Sequence, residues 1–414
     1  MKAIKNLWGL IGKVRVWGLT GIIDYIKRNL AFMIGRRRLM RLHLQSKRPI
    51  PTRGITVVGD LTGQLALSKT LRDFVLSLKD CGIPVQMFDT RLNSEIPAED
   101  AVKVLTPKAD FDLHKYTHIV MMYRSPLTKE MVQGHTVARI AFHDSEHGIH
   151  EAMPFLRDSG DAIIGMSDFN YNYFNRAFQN QAVYKITYPF RPKLKEAVDK
   201  VASGDFTVFF NFDFGSYYRK NIPAALKAFA LAFKGVPNTR LIFKSKGAKK
   251  NRRQVVEMEA LVKSLGIAAQ FTHIAGYLPR AELDGLTASI DVYLSLHKSE
   301  GFGLGMAEAM SQGKPVVATN WSANTEFCRP DTAWCVPYKL VPILPHEYPP
   351  CMKEWAEADV EAAAECLREI KEHPEAAKTK AARGKALIAG LYSLERFKTD
   401  VDAFLDGKER CEIM

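Results

Sequence analysis

Residues 291–319 carry a strand, a glycine-punctuated turn, a short helix and a second strand in immediate succession. The apolar run at 291–296 ends in His297-Lys298-Ser299-Glu300-Gly301-Phe302-Gly303-Leu304-Gly305. A helical stretch then runs to Met310, Gly313 closes it and Pro315 opens the strand at 315–319. The two strands of such a βαβ unit run the same way, so the chain must build a parallel sheet with helices on its faces. The unit is also suited to anions. Amides at a helix N-terminus and the helix dipole favour phosphate oxygens, and glycine lets a pyrophosphate approach the backbone closely.

The same rhythm fills the chain from residue 54 onward. Strand-like runs at 55–58, 85–88, 118–122, 137–142, 162–165 and 183–187 alternate with helical stretches, and a Lys-rich connection follows. A second cycle opens at 206–212 and continues at 240–243, 271–274, 291–296 and 315–319, before helices at 360–370 and 374–391. Ser393 is a plausible N-cap for a last helix. A length of 414 residues with 47% hydrophobic content supports two α/β domains. The expected organisation is a basic amphipathic extension over 1–53, a Rossmann-like unit over 54–192, a second over 204–391, and a C-terminal helix over 393–414.

Charge is concentrated at one end. Residues 1–53 hold thirteen Lys or Arg against a single acid, Asp24, so nearly all of the formal +13 sits there on an almost neutral body. Such an arm points to one localised contact with an anionic surface. Trp8, Trp17 and interleaved apolar residues, followed by Arg36, Arg37, Arg38 and Arg41, fit an interfacial helix on anionic lipid. They also fit helices packed on the protein itself with their cations solvated. No run is long enough to cross a bilayer. Nucleic acid is not the expected partner, because no reader motif or aromatic platform accompanies the charge.

Six scattered cysteines and no cleavable signal pattern suit a reducing, cytoplasmic setting, and their spacing offers no zinc site. No metal and no cofactor are expected.

Glu300 and Glu308 bracket the glycine turn with seven residues between them. Carboxylates beside a phosphate cradle suit a ligand that is both phosphorylated and rich in hydroxyls. This segment resembles the E-x7-E motif of retaining glycosyltransferases of the GT-B fold, family 4 (glycosyl transferases group 1). The resemblance implies two Rossmann-like domains facing a cleft, with the acceptor on the first and a nucleotide diphosphate sugar, the co-substrate, on the second. It implies that Glu300 contacts the donor sugar, Glu308 the ribose, and Gly301, Phe302 and Gly303 the donor. Arg219-Lys220 after the strand at 206–212 is similar to the family's diphosphate-binding cation pair, although many members carry the arginine several residues earlier. Two cations at a helix N-terminus oppose the dipole and call for an anion nearby. Within the first unit, Gly63 resembles the family's glycine loop near the acceptor. The loop holding His143, Glu146 and His147 resembles its acceptor-facing loop, but places His143 and Ser145 where aromatics are common. These side chains fit acceptor binding or, for His143, proton relay, and equally fit ordinary loop positions.

The implied reaction transfers a hexose, such as mannose from a GDP donor, with retention to a saccharide or lipid-linked acceptor in surface polysaccharide or glycoconjugate assembly. Glu300, Lys220 and His143 are the expected catalytic residues, and Lys220 would stabilise the departing diphosphate. The alternatives are a phosphorylase or sugar-phosphate synthase on the same fold, and an inert scaffold docked on the inner face of a membrane.

Overall fold

The computed structural model describes residues 30, 32–46, 50–60, 66–90, 106, 110–122, 127–142, 162–191, 204–344, 347 and 353–408. Two parallel six-stranded sheets organise the chain. The first contains β1 (Thr52–Gly59), β2 (Val85–Asp89), β3 (Tyr116–Met122), β4 (Thr136–Ala141), β5 (Ala162–Gly165) and β6 (Ala182–Lys185), in the order β2-β1-β3-β4-β5-β6. The second contains β7 (Phe206–Asp213), β8 (Thr239–Lys246), β9 (Phe271–Ala275), β10 (Val292–Ser295), β11 (Val316–Thr319) and β12 (Trp334–Val336), in the order β12-β11-β10-β7-β8-β9. A short antiparallel hairpin, β13 (Tyr338–Pro342) and β14 (Glu354–Ala358), flanks the proline-rich insert.

The helices are α1 (32–45), α2 (Ala66–Asp80), α3 (Asp168–Ala177), α4 (Ile222–Phe233), α5 (Arg252–Leu265), α6 (Arg280–Ser289), α7 (Leu304–Ser311), α8 (Val360–Glu372), α9 (Pro374–Leu391) and α10 (Leu394–Leu405). Strands covered on both faces read as unbroken apolar runs, and Val208, Phe209 and Phe210 in β7 are fully buried. Pro223 and Pro374 occupy the first turns of α4 and α9, where the missing N–H costs nothing. Ser393 caps α10 by accepting from the Arg396 amide at 3.3 Å.

Helix α10 packs on the first sheet although it ends the chain. Phe397 meets Phe74 edge-on, Phe404 lies against His118 and Tyr184, and Asp400 accepts from the Thr187 amide at 2.8 Å. Arg53 donates to both Asp402 and Asp406 at 2.9 and 3.1 Å.

At the other terminus, β1 begins at Thr52, whose amide donates to the Lys115 carbonyl, slightly ahead of the boundary read from the sequence. Helix α1 packs on this sheet through Leu39, which joins Val58, Phe88, Phe111, Ile119 and Met121 in one buried cluster. Arg38, expected among the lipid-facing cations, instead lies over the Phe88 ring at 5.4 Å, where the ring face attracts its guanidinium. Arg36, Arg37 and Arg41 are exposed. Residues 1–29 of the basic arm lie outside the described residues.

Candidate active site

In the second sheet the strand order reverses between β7 and β10, so the loops leaving their C-terminal ends diverge and open a crevice. The loop after β7 makes a tight turn, with the Asp213 carboxylate accepting from the Gly215 amide at 2.8 Å, and then presents Arg219 and Lys220. Asn221 adopts a left-handed conformation (φ 54°) that turns the chain into α4. The loop after β10 runs alongside. Its Lys298 amide donates to the Arg219 carbonyl at 2.7 Å, which fixes the cations against the residues around Glu300.

Glu300 is the anion that the two cations require. Lys220 Nζ donates directly to Glu300 Oε1, and Arg219 Nη1 lies 3.4 Å from Oε2 while donating to the Ser299 carbonyl at 2.8 Å. Burial alone would push the Glu300 carboxyl up. Lys220 and Arg219 outweigh it and hold the carboxyl down at about 2, so Glu300 is ionised throughout the ordinary pH range. A ligand diphosphate entering here would compete with Glu300 for these cations.

Three side chains that sequence reasoning missed position Glu300. Ser322 Oγ accepts from the Glu300 amide at 2.8 Å, with Ser322 held at φ 73°. His297 is wholly buried, and its Nε2 lies 2.9 Å from Asn324 Oδ1 and 3.2 Å from the Trp321 carbonyl, so Nε2 carries the proton. Asn324 in turn donates to the Thr319 carbonyl at 2.9 Å. Burial lowers the His297 pKa and favours the neutral ring.

The glycine turn is built for close approach. Gly303 has φ 93°, and a Cβ there would sit 2.6 Å from Met306 Cε and 3.3 Å from Asn324 Cβ. Phe302 is buried against Tyr188, Tyr392 and Phe327. Glu308 lies within α7, the helix that leaves the turn, and its Oε1 is 3.9 Å from Lys69 Nζ on α2 of the first unit. Lys69 is a residue that sequence reasoning missed.

The first sheet closes over the turn at further points. Ser167 Oγ donates to the Gly301 carbonyl at 3.0 Å. Glu326 accepts from the Asp168 amide and from Tyr392 Oη (3.2 Å), with Lys185 Nζ 3.6 Å away. The structure therefore brings Arg219 and Lys220 onto Glu300, with Gly301, Phe302 and Gly303 next along the turn and Glu308 in α7 facing Lys69. Gly63, His143, Glu146 and His147 lie outside the described residues. Among the described residues no group of three His, Cys, Asp or Glu side chains is placed to hold a metal ion.

Two Rossmann-like units on parallel six-stranded sheets give the chain a GT-B-like fold, with paired cations and a buried carboxylate at the strand-order reversal of the second. Residues 215–339 match the model of the family described as glycosyl transferases group 1. No curated protein sequence matches the chain. Among solved structures it is similar to the sucrose-phosphate synthase of Thermosynechococcus elongatus (TM-score 0.61, 16% identity, covering 86% of this chain and 99% of that one). It is also similar to HepE of Anabaena in complex with UDP and glucose (TM-score 0.58, 14% identity, 86% and 100%). A third likeness is to the pneumococcal O-GlcNAc transferase GtfA in complex with UDP and GlcNAc (TM-score 0.52, 14% identity, 70% and 56%).

Proposed function

We propose that this chain transfers a hexose or N-acetylhexosamine from a UDP-sugar to a saccharide or lipid-linked acceptor, with retention, during assembly of a surface polysaccharide or glycoconjugate. The observation that carries the reading is the Lys220–Glu300–Arg219 cluster beside the glycine turn, inside the segment that matches the family. UDP replaces the GDP-mannose expectation because GtfA and HepE, two of the similar structures, are complexes with UDP and a sugar.

In this reading Lys220 and Arg219 leave Glu300 for the donor diphosphate and stabilise the charge that grows on it as the sugar departs. Glu300, released from the cations, accepts hydrogen bonds from the sugar hydroxyls, and Glu308 does so from the ribose. His143, Glu146, His147 and Gly63 belong to the acceptor side. The closed crevice excludes water, which would otherwise hydrolyse the donor. A sugar-phosphate acceptor is the second reading, favoured by the likeness to a sucrose-phosphate synthase.

The membrane part of the proposal rests on α1. Its outer face exposes Met33, Ile34 and Leu44 beside Arg36, Arg37 and Arg41, with Leu30 exposed just before it. That combination suits an anionic lipid surface on the cytoplasmic face. Arg36, Arg37 and Arg41 changed together to Glu in the full chain should abolish sedimentation with anionic vesicles; undiminished sedimentation would remove this part.

The test of the reaction is a panel of UDP-, GDP-, ADP- and dTDP-sugars offered with saccharide and sugar-phosphate acceptors, with the anomeric configuration of any product read by NMR. Transfer from a UDP-sugar with retention is expected. Turnover of GDP-mannose alone, or an inverted product, would overturn the reading.

A further inference from the structure

Helix α2 faces the segment that begins at Glu300 through two consecutive residues, Lys69 directly and Thr70 by way of Tyr188. Lys69 Nζ is 3.9 Å from Glu308 Oε1 and also pairs with Asp73 one turn on. The Thr70 hydroxyl lies 2.9 Å from Tyr188 Oη, and the Tyr188 ring stacks on Phe302 at 4.0 Å. Phe302 and Glu308 both belong to the segment that begins at Glu300. The side chains of Lys69, Asp73 and Glu308 are 17%, 11% and 12% exposed, so this is a largely dehydrated contact between elements of the two sheets.

The charges arrange themselves in a pattern. In the second unit, Lys220 and Arg219 are matched by Glu300; across the crevice, Lys69 stands between two carboxylates, Asp73 and Glu308. The Lys69 ammonium stands beside the Glu308 carboxylate, whose oxygens accept hydrogen bonds from hydroxyl groups. It also ties that carboxylate to the first unit.

We infer that Lys69 is a positioning residue for the nucleotide: it acts through Glu308 to hold the ribose-accepting carboxylate in place and to couple closure of the first unit to occupancy of the donor site. This rests on the proposed reading of Glu308 as the ribose partner.

The experiment measures UDP binding by calorimetry on the full chain in four forms: wild type, Lys69→Met, Lys69→Arg and Glu308→Gln, together with the Lys69→Met/Glu308→Gln double variant. Lys69→Met should raise the Kd for UDP about tenfold, the scale of one partly buried charge contact. Lys69→Arg keeps the cation and should recover most of that loss. A residue that served stability alone would not be rescued in affinity while UDP saturates a fully folded sample. In the double variant the two losses should fall short of multiplying, because Lys69 acts through Glu308. If the wild type binds UDP and Lys69→Met binds it equally well, or the two losses multiply fully, the inference falls while the donor reading stands. If the wild type binds no UDP, the donor reading falls and this inference with it.

Discussion

Tyr188 and Phe302 stack across the crevice with ring centroids 4.0 Å apart and planes 16° from parallel. One ring follows the last strand of the first sheet and the other sits inside the glycine turn of the second, so a single aromatic contact ties the frame of one unit to the site of the other. Phe302→Ala should destabilise the protein by about 3–5 kcal/mol through lost burial and the cavity left behind. Tyr188→Phe keeps the stack and loses the contact with Thr70, which should cost only about 1 kcal/mol. Urea denaturation of the two variants checks the ordering; equal losses would show that the stack contributes little.

The Lys220–Glu300 pair yields a prediction of opposite signs. Glu300→Gln removes the anion that occupies Lys220 and Arg219 in the ligand-free protein. UDP, which needs the cations and not the sugar-binding carboxylate, should therefore bind more tightly to Glu300→Gln than to the wild type. Transfer should fall at least about a hundredfold. Calorimetry and an initial-rate assay decide, and weaker UDP binding by the variant would mean that the cations do not serve the diphosphate. With its carboxyl at about 2, against 4.5 ordinarily, Glu300 contributes stability that is complete above about 4.5 and is lost as pH falls towards 2. Any acid limb of activity above pH 5 must come from another group.

A histidine chain predicts where the fold weakens first on the acid side. His135 Nδ1 lies 2.9 Å from the Tyr116 carbonyl and must donate to it. His135 Nε2 then accepts from His114 Nδ1, and His114 Nε2 accepts from His43 Nδ1 on α1, each at 2.9 Å. A second proton on His114 or His135 would set two N–H groups against each other. Burial lowers His135, opposed by the Tyr116 carbonyl and Asp112; burial, Arg53 and His135 bring the neighbouring His118 down to about 4. Because these values lie below 6.5, the unfolded chain takes up protons first. The stability tied to the neutral rings is full above about 6.5 and is lost as pH falls towards 4. Melting temperatures from pH 8 to 5 should drop less in His118→Asn than in the wild type; parallel curves would contradict this.

Much of the fold was legible because parallel strands buried on both faces read as continuous apolar runs, and because Gly313 and Pro315 punctuate the βαβ unit around the site. Strand β12 was not, since Trp334–Val336 is too short to show a pattern. Nor was the β13–β14 hairpin, whose Lys339 and Leu340 are exposed and carry no clear alternation. Glu300 and Glu308 stood out around the glycine turn and Lys220 by its place after the strand at 206–212, and the structure pairs Lys220 with Glu300. Ser322, Asn324 and His297 were not, because their roles depend on a loop with positive φ at Ser322 that folds back on Glu300. Lys69 looks like any helix lysine, and its second partner arrives from the other sheet. In the arm, the sequence could not separate lipid-facing from protein-facing cations; Arg38 is turned inward by Phe88 while its neighbours Arg36 and Arg37 stay exposed.

The central claim is that Lys220 exchanges Glu300 for the diphosphate of a nucleotide donor. A thermal-shift titration with UDP on the wild type and on Lys220→Ala tests it most directly, since a ligand that binds only the folded state must raise the melting temperature. The wild type should rise with saturating UDP, and Lys220→Ala should show little or no rise at the same concentration. An equal rise in both proteins, or a wild type that responds to GDP and not to UDP, would contradict the account.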